Sequence, residues 1–124
     1  MRRAIALVAI LSLSAAALAR DPLDTDPDKY RSILENDCVR VLEYRDRPGD
    51  ATGQHAHPPF VLYALSAFRR SLALPDGRVL ARSFEAGDAM WSEAQVHVGT
   101  NTGETPTHVL IVELKSGAAA CVRD

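Results

Sequence analysis

Cysteines and clustered basic residues are scarce in this sequence, and each shortage argues against a class of function. Only 2 of the 124 residues are cysteines, and neither belongs to a CxxC pair, so thiol redox catalysis is not expected. The 14 lysines and arginines are spread along the chain, and 16 acidic residues outnumber them. Because no basic patch can be recognised, a nucleic-acid partner is not expected either.

The apolar stretch at the N-terminus is too short to cross a membrane, which takes about 20 residues. Two arginines open the chain, an apolar segment follows over residues 4–13, and Ala17-Leu18-Ala19 forms a small-x-small cleavage site. These features predict a secretory signal peptide over residues 1–19, with an uncleaved anchor as the alternative. The mature protein would begin at Arg20, and we expect it to be periplasmic or secreted, without a membrane association.

The two cysteines, Cys38 and Cys121, would then lie in an oxidising compartment. One disulfide between an early strand and the C-terminal tail is one interpretation, and two unrelated thiols are the other.

The chain also lacks the apolar stripe and the caps of a long helix. Short apolar or alternating segments recur instead, separated by glycine and proline turns such as Pro75-Asp76-Gly77. The predicted strands are residues 30–34 (one helical turn is the alternative), 38–44, 53–57, 60–67, 68–74, 78–85, 89–92, 95–100 and 107–115. This spacing indicates one all-β domain over residues 30–115, a sandwich or barrel.

The two ends of the mature chain look different from this domain. Residues 20–29 contain four aspartates and two prolines, a composition that predicts an extended, solvated lead-in. Residues 116–124 include three alanines and the second cysteine, and are predicted to be a loose C-terminal tail.

Three histidines form the candidate site. His55 and His57 are two residues apart, so in a strand both rings lie on one face. His97, on another predicted strand, would join them if the sheet curls. Three neutral imidazoles can hold a divalent metal and leave positions open for water or substrate. A plain exposed strand with two histidines is the alternative.

These histidines stand in a sequence pattern that resembles the cupin superfamily. The first cupin motif begins G-x5-H-x-H, and the second begins with glycine and ends H-x3-N. The matching residues are Gly49, His55 and His57 for the first motif, and Gly87, His97 and Asn101 for the second. The second motif is one residue short, and Ser92 and Ala94 replace its usual proline and glycine. The resemblance is to small single-domain cupins of unassigned function.

The resemblance implies a single jelly-roll β-barrel whose metal is held by His55, His57 and His97. The family's fourth ligand, a glutamate, has no counterpart, because its slot falls at Val61 or Leu62. The predicted pocket-lining residues are Val61, Tyr63, Trp91 and Gln95; an aromatic residue in a small β-domain is also commonly part of the core.

Other polar residues have simpler interpretations. Arg40, Arg69, Arg70, Arg78 and Arg82 alternate with apolar residues and predict a solvated sheet face, although an arginine turned inward would favour a carboxylate ligand. His108 is interpreted as a rim or surface histidine. Asp50 and Asp88, beside turn glycines, are expected to cap backbone amides.

Together these observations predict an exported cupin protein with a histidine-lined pocket for a divalent metal (Fe, Mn, Ni or Zn) and a small molecule. The alternative is a metal-free module that binds a small ligand or forms a structural homodimer. The sequence identifies no catalytic residue, and whether the protein is an enzyme stays open.

Overall fold

The structure is a computed structural model that describes residues 20–122. The predicted signal peptide, residues 1–19, and the last two residues lie outside the described part of the chain. Within residues 20–122, neither helix has the length and hydrophobicity needed to span a lipid bilayer.

Nine strands and two short helices follow one another along the chain. The strands are β1 (Tyr30–Glu35), β2 (Val39–Asp46), β3 (His55–His57), β4 (Phe60–Ala64), β5 (Phe68–Ala73), β6 (Val79–Phe84), β7 (Ala89–Ser92), β8 (Gln95–Asn101) and β9 (Thr107–Leu114). Helix α1 (Pro22–Thr25) precedes them, and a 3₁₀ helix (Ala118–Cys121) follows them. The predicted strands are all present, and residues 30–34 form a strand rather than a helical turn.

The strands pair antiparallel in two sheets, as in a jelly roll. One sheet has five strands in the order β1-β2-β9-β4-β7, and the other has four in the order β3-β8-β5-β6. Successive strands in the chain therefore often lie in different sheets. The all-β prediction is confirmed.

The core lies between the two sheets because inward-facing residues alternate with outward-facing ones along each strand. In β4 the residues Phe60, Leu62 and Ala64 are buried, whereas Val61 and Tyr63 between them are exposed. The buried core cluster consists of Tyr30, Leu42, Tyr44, Phe60, Leu62, Ala64, Phe68, Phe84, Val109 and Ile111. Burial of each large apolar side chain contributes about 1.5–3 kcal/mol.

The N-terminal segment is not the solvated lead-in that its aspartates predict. The Asp21 carboxylate accepts a hydrogen bond from the Leu23 N–H at 2.9 Å and begins helix α1, whose first residue is a buried proline. Asp26 is buried and accepts the Gly53 N–H at 3.0 Å. The Arg20 carbonyl accepts the Ala56 N–H at 2.9 Å, so the segment lies against β3. The composition did not reveal that two of these carboxylates cap backbone amides.

The C-terminal segment is likewise fixed to the domain. Cys38 and Cys121 form a disulfide, with their Cα atoms 5.9 Å apart and 83 residues apart in sequence. The Lys115 N–H also donates to the Cys38 carbonyl at 2.9 Å. The tail is therefore tied to the start of β2, as one of the two interpretations of the cysteines predicted.

Candidate metal centre

The register of β3 and β8 brings the three histidines together. His55 and His57 lie on the inner face of β3, and His97 of β8 is the direct cross-strand partner of His55. All three side chains are buried. One ring nitrogen from each lies within 4.8 Å of the others, an arrangement that can hold a metal ion. The predicted grouping of His55, His57 and His97 is thus present.

Each ring is oriented by an acceptor at its Nδ1 atom. His55 Nδ1–H donates to the Gly53 carbonyl at 2.8 Å, and His57 Nδ1–H donates to the Glu113 carboxylate at 2.7 Å. His97 Nδ1–H donates to the Gln95 side-chain carbonyl at 2.7 Å. A carbonyl or a carboxylate can only accept, so these partners place a proton on each Nδ1, and in a neutral ring Nε2 then carries the lone pair.

Two of these Nε2 atoms are close together: those of His55 and His57 are 3.1 Å apart. At that distance a proton or a metal ion lies between the two nitrogens, because two bare lone pairs would repel each other. Two nitrogens bound side by side to one metal at 2.0–2.2 Å are about 3 Å apart, so the observed separation fits a shared metal.

Burial favours the neutral, metal-binding form of His55 and His97. Burial lowers the pKa of His55 to about 4, and the neighbouring His57 adds to the effect. Burial, with His57 and His55 beside it, lowers the pKa of His97 to about 2. At neutral pH both rings are therefore neutral in the folded protein, each with a single proton.

Behind His57 lies a chain of charged groups. Glu113 accepts from His57 with one oxygen and from Arg40 Nε with the other at 2.8 Å, and Arg40 also pairs with Asp21 at 2.8 Å. Burial would raise the pKa of Glu113, but the hydrogen bonds from His57 and Arg40 outweigh it and lower that pKa. The carboxylate is thus held ionised, which fixes the orientation of the His57 ring.

Glu113 was missed in the sequence, although a signal was there. It follows Thr107, Val109 and Ile111 at alternate positions of β9, all of them buried. A carboxylate at an inward position needs a partner, because burying an unpaired charge is costly.

Tyr30 is a second missed residue. Its hydroxyl lies 3.2 Å from His55 Nε2, beside the point where the histidines converge. Burial raises the pKa of Tyr30, so the phenol keeps its proton and can donate to His55 Nε2 in the metal-free protein. A metal bound at that nitrogen would replace this hydrogen bond. Its position at the start of β1, distant in sequence from both motifs, gave no signal.

Three of the four predicted pocket residues lie elsewhere. Val61, Tyr63 and Trp91 are 36%, 43% and 51% exposed on the outer face of the five-stranded sheet. Tyr63 would face inward if the side-chain alternation of β3 continued unbroken into β4. The chain changes sheets at Pro58-Pro59, however, and the alternation restarts there. Gln95 does reach the site, as the acceptor for His97.

The missing glutamate is replaced by an apolar side chain. Leu62 points inward and lines the interior cavity, whereas its neighbour Val61 points out. Among residues 20–122, the candidate metal cluster comprises the three histidines and no carboxylate. Glu113 contacts the far nitrogen of His57 and so acts behind the ligands.

A cavity of about 40 Å³ opens between the sheets beside His57 and His97. One water molecule needs about 10–15 Å³ in such a measure, so the space suits a few waters or a compact ligand. Arg70 and Arg82 line it, contrary to the predicted solvated arginine face, and Arg40 is turned toward Glu113. Only Arg69 and Arg78 of the five are exposed as predicted.

The remaining polar predictions agree with the structure. His108 is partly exposed and pairs with Glu43 at 3.1 Å, away from the three histidines. Asp50 accepts the Arg47 N–H at 2.9 Å, and Asp88 accepts the Glu85 N–H at 2.8 Å, so both cap turns.

Comparison with known proteins identifies the fold. A cupin domain from Bordetella pertussis Tohama I matches with a TM-score of 0.64 at 25% identity, over 70% of this chain and 92% of the other. An RmlC-like cupin with a double-stranded β-helix fold from Methanocaldococcus jannaschii matches with a TM-score of 0.57 at 12% identity, over 75% and 84%. The polyketide cyclase RemF from Streptomyces resistomycificus matches with a TM-score of 0.54 at 18% identity, over 85% of this chain and 80% of the other.

No model of a protein family and no curated protein matches the sequence. The strand order, the buried histidine cluster and the structural matches nevertheless agree with one another, as do the two sequence motifs. The chain is therefore a member of the cupin superfamily with a three-histidine candidate metal centre.

Proposed function

We propose that this protein is exported and binds one divalent metal ion through Nε2 of His55, His57 and His97, together with a small molecule in the adjoining cavity. The pattern of the first nineteen residues supports export to the periplasm or beyond. Imidazole ligands suit iron, manganese, nickel and zinc. Such an ion would supply Lewis acidity and positions for exchangeable ligands.

The convergence of three buried imidazoles is the observation on which the metal proposal rests. Each Nδ1 is bonded to an acceptor, each ring is buried, and the nitrogens face one another at distances that a cation would bridge. A purely structural cluster would be expected to satisfy those nitrogens with donors. Tyr30 supplies one donor, to His55.

The absence of a carboxylate ligand has an electrostatic consequence. Three neutral histidines leave the full double charge of the ion uncompensated within the ligand set. A metal in this site would therefore attract an anionic small molecule more strongly than a metal already bound by a glutamate.

Metal content tests the proposal. The untagged mature protein, and the His55→Ala and His97→Ala variants, would be loaded with each divalent ion, desalted and analysed by mass spectrometry. His108→Ala is the matched control, because His108 lies outside the cluster. We expect about one ion per chain in the wild type and the control, and loss of the ion in both site variants. Equal metal content in all four proteins, or none in the folded wild type, would refute the site.

A homodimeric structural role is the second candidate, and the outer face of the five-stranded sheet favours it. Val61, Tyr63, Leu65 and Trp91 are exposed there or at its edge. Sedimentation of the wild type and of Trp91→Ser tests this role: a dimer that the substitution weakens supports it, and a wild-type monomer at high concentration excludes it.

A further inference from the structure

The residues that line the interior cavity carry an excess of positive charge. Its polar lining consists of Arg70, Arg82, His57, His97, Tyr30 and Tyr44. The other lining residues are apolar, and none of the described residues that line it is acidic. In the part of the chain that the structure describes, the cavity beside the candidate metal centre is thus lined by two arginines and by no acidic residue.

Arg70 is held inside the domain rather than at its surface. It is buried on β5, with its Cζ atom 4.9 Å from the centre of the Tyr44 ring and its Nη1 atom 3.7 Å from Asp46. A Cβ atom at Gly99 would lie 2.1 Å from Arg70 Nη2, so the end of the guanidinium occupies space that a side chain at position 99 would take. These contacts hold the Arg70 guanidinium in one position. Its 3.7 Å distance to Asp46 is longer than a hydrogen bond.

Among the described residues, the positive charge of Arg82 has no carboxylate neighbour such as Asp46 provides for Arg70. Arg82 is half-buried, it lies directly opposite Arg70 in the β5–β6 register, and its Nη1–H donates to the Ala81 carbonyl at 3.1 Å. Within residues 20–122 it forms no ion pair. Like charges directly opposite each other destabilise a strand pair. An anion between the two guanidinium groups would remove that repulsion.

We propose that the cavity binds a short-chain organic carboxylate, whose carboxylate group is held by Arg82 and Arg70. Guanidinium groups match the planar geometry of a carboxylate. The apolar walls, which include Leu62 and Phe84, favour an organic anion over inorganic sulfate or phosphate. The proposal names the ligand class for the small-molecule part of the proposed function and rests on it.

Acetate, its neutral analogue acetamide, and sulfate are suitable probes. Their binding would be measured by calorimetry on the full mature protein, with and without bound metal, and compared with Arg82→Gln. Arg69→Gln is the matched control, because Arg69 is exposed on the outer face of the same strand as Arg70. We expect acetate to bind, acetamide and sulfate to bind at least about tenfold more weakly, and Arg82→Gln to lose about tenfold in acetate affinity. Arg69→Gln should match the wild type.

Metal stoichiometry, measured on the same samples, separates this inference from the proposed function. A metal-loaded wild type that binds no acetate overturns the anion site and leaves the metal site standing. Acetate binding that needs Arg82 in a protein without metal supports the anion site even though the metal proposal fails. Equal acetate affinity in Arg82→Gln and Arg69→Gln, or equal affinity for acetate and sulfate, overturns the anion site.

Discussion

Glu113 orients the candidate metal centre without belonging to its ligand set. It joins His57 Nδ1 to Arg40, and through Arg40 to Asp21 on the N-terminal segment. Carboxylates in this position hold a ligating imidazole in one tautomer and raise its basicity. The chain of contacts therefore connects metal affinity to residues on three separate elements.

Replacing Glu113 with glutamine should weaken metal binding about 10–100-fold. The amide keeps the size of the carboxylate but loses the charge that His57 and Arg40 face. Competition with a chromophoric chelator measures the affinity. Glu43→Gln is the control, since Glu43 pairs with His108 and Arg31 away from the cluster. Unchanged affinity in Glu113→Gln would show that the carboxylate does not orient the ligand.

The metal-free protein should lose stability as the pH falls. His55 and His97 have pKa values of about 4 and about 2 in the folded state, against 6.5 when exposed. The unfolded chain therefore binds more protons below pH 6.5, and the stability present above that pH declines as the pH falls from 6.5 toward 4. Urea unfolding of chelator-treated protein measures this.

The control for this pH dependence is a variant without one of the two rings. His97→Gln should show a shallower decline over the same range, and His108→Gln should match the wild type. An equally steep decline in His97→Gln would contradict the assignment of the effect to the buried histidines.

The sequence predicted the three histidines of the candidate metal centre but not the residues around them. Spacing of two within β3, together with the family motif, was enough for His55, His57 and His97. Glu113 and Tyr30 are brought to the site by tertiary pairing, across 56 and 25 residues from His57 and His55. No local pattern encodes such a contact, although the inward position of Glu113 on β9 gave a usable hint.

At the scale of elements, β3 depends on the N-terminal segment that covers it. This strand has only three residues and pairs with β8 alone in its sheet. Arg20 and Asp26 add hydrogen bonds to Ala56 and Gly53, on either side of His55. The segment thus steadies the strand that presents two of the three ligands.

Asp26→Ala should lower the free energy of unfolding by about 1–3 kcal/mol, because the Gly53 N–H loses its acceptor. Chemical denaturation measures the change. Asp28→Ala is the control, since Asp28 is exposed and its contact is a surface pair with Lys29. Equal stability of the two variants would show that Asp26 is not a structural acceptor.

The sequence predicted the positions of the strands, but it did not predict which strands belong to the same sheet. Turn residues such as Pro75-Asp76-Gly77 mark most strand ends locally, and the prediction overran β4 by three residues where no glycine or proline marks its end. The change of sheet between β3 and β4 is a tertiary event, and it placed Val61 and Tyr63 outside the cavity instead of inside it. For Arg70 and Arg82 a local signal was present, because alternation places Arg70 with Phe68 and Leu72, and Arg82 with Phe84, on the inner face.

For the whole molecule, the disulfide joins the turn between β1 and β2 to the segment after β9. Cys38 precedes β2, and Cys121 lies beyond β9, so the bond closes a long loop. Loss of a native disulfide from a small domain costs about 2–5 kcal/mol. The Cys38→Ser, Cys121→Ser double variant should unfold at correspondingly lower denaturant concentration.

Reduction provides the control for this prediction. Reductant should lower the unfolding midpoint of the wild type and leave the double variant unchanged. A wild type that is insensitive to reductant, with no disulfide detected by mass spectrometry, would contradict the pairing.

The coordination shell of the bound ion tests the central claim most directly. X-ray absorption on the metal-loaded protein reports the number and type of ligands and their distances. The account predicts three imidazole nitrogens at about 2.0–2.2 Å, completed by light atoms from water or a carboxylate, with one imidazole fewer or no bound metal in His97→Ala. A shell with no more than one imidazole, or one that His97→Ala leaves unchanged, would contradict it.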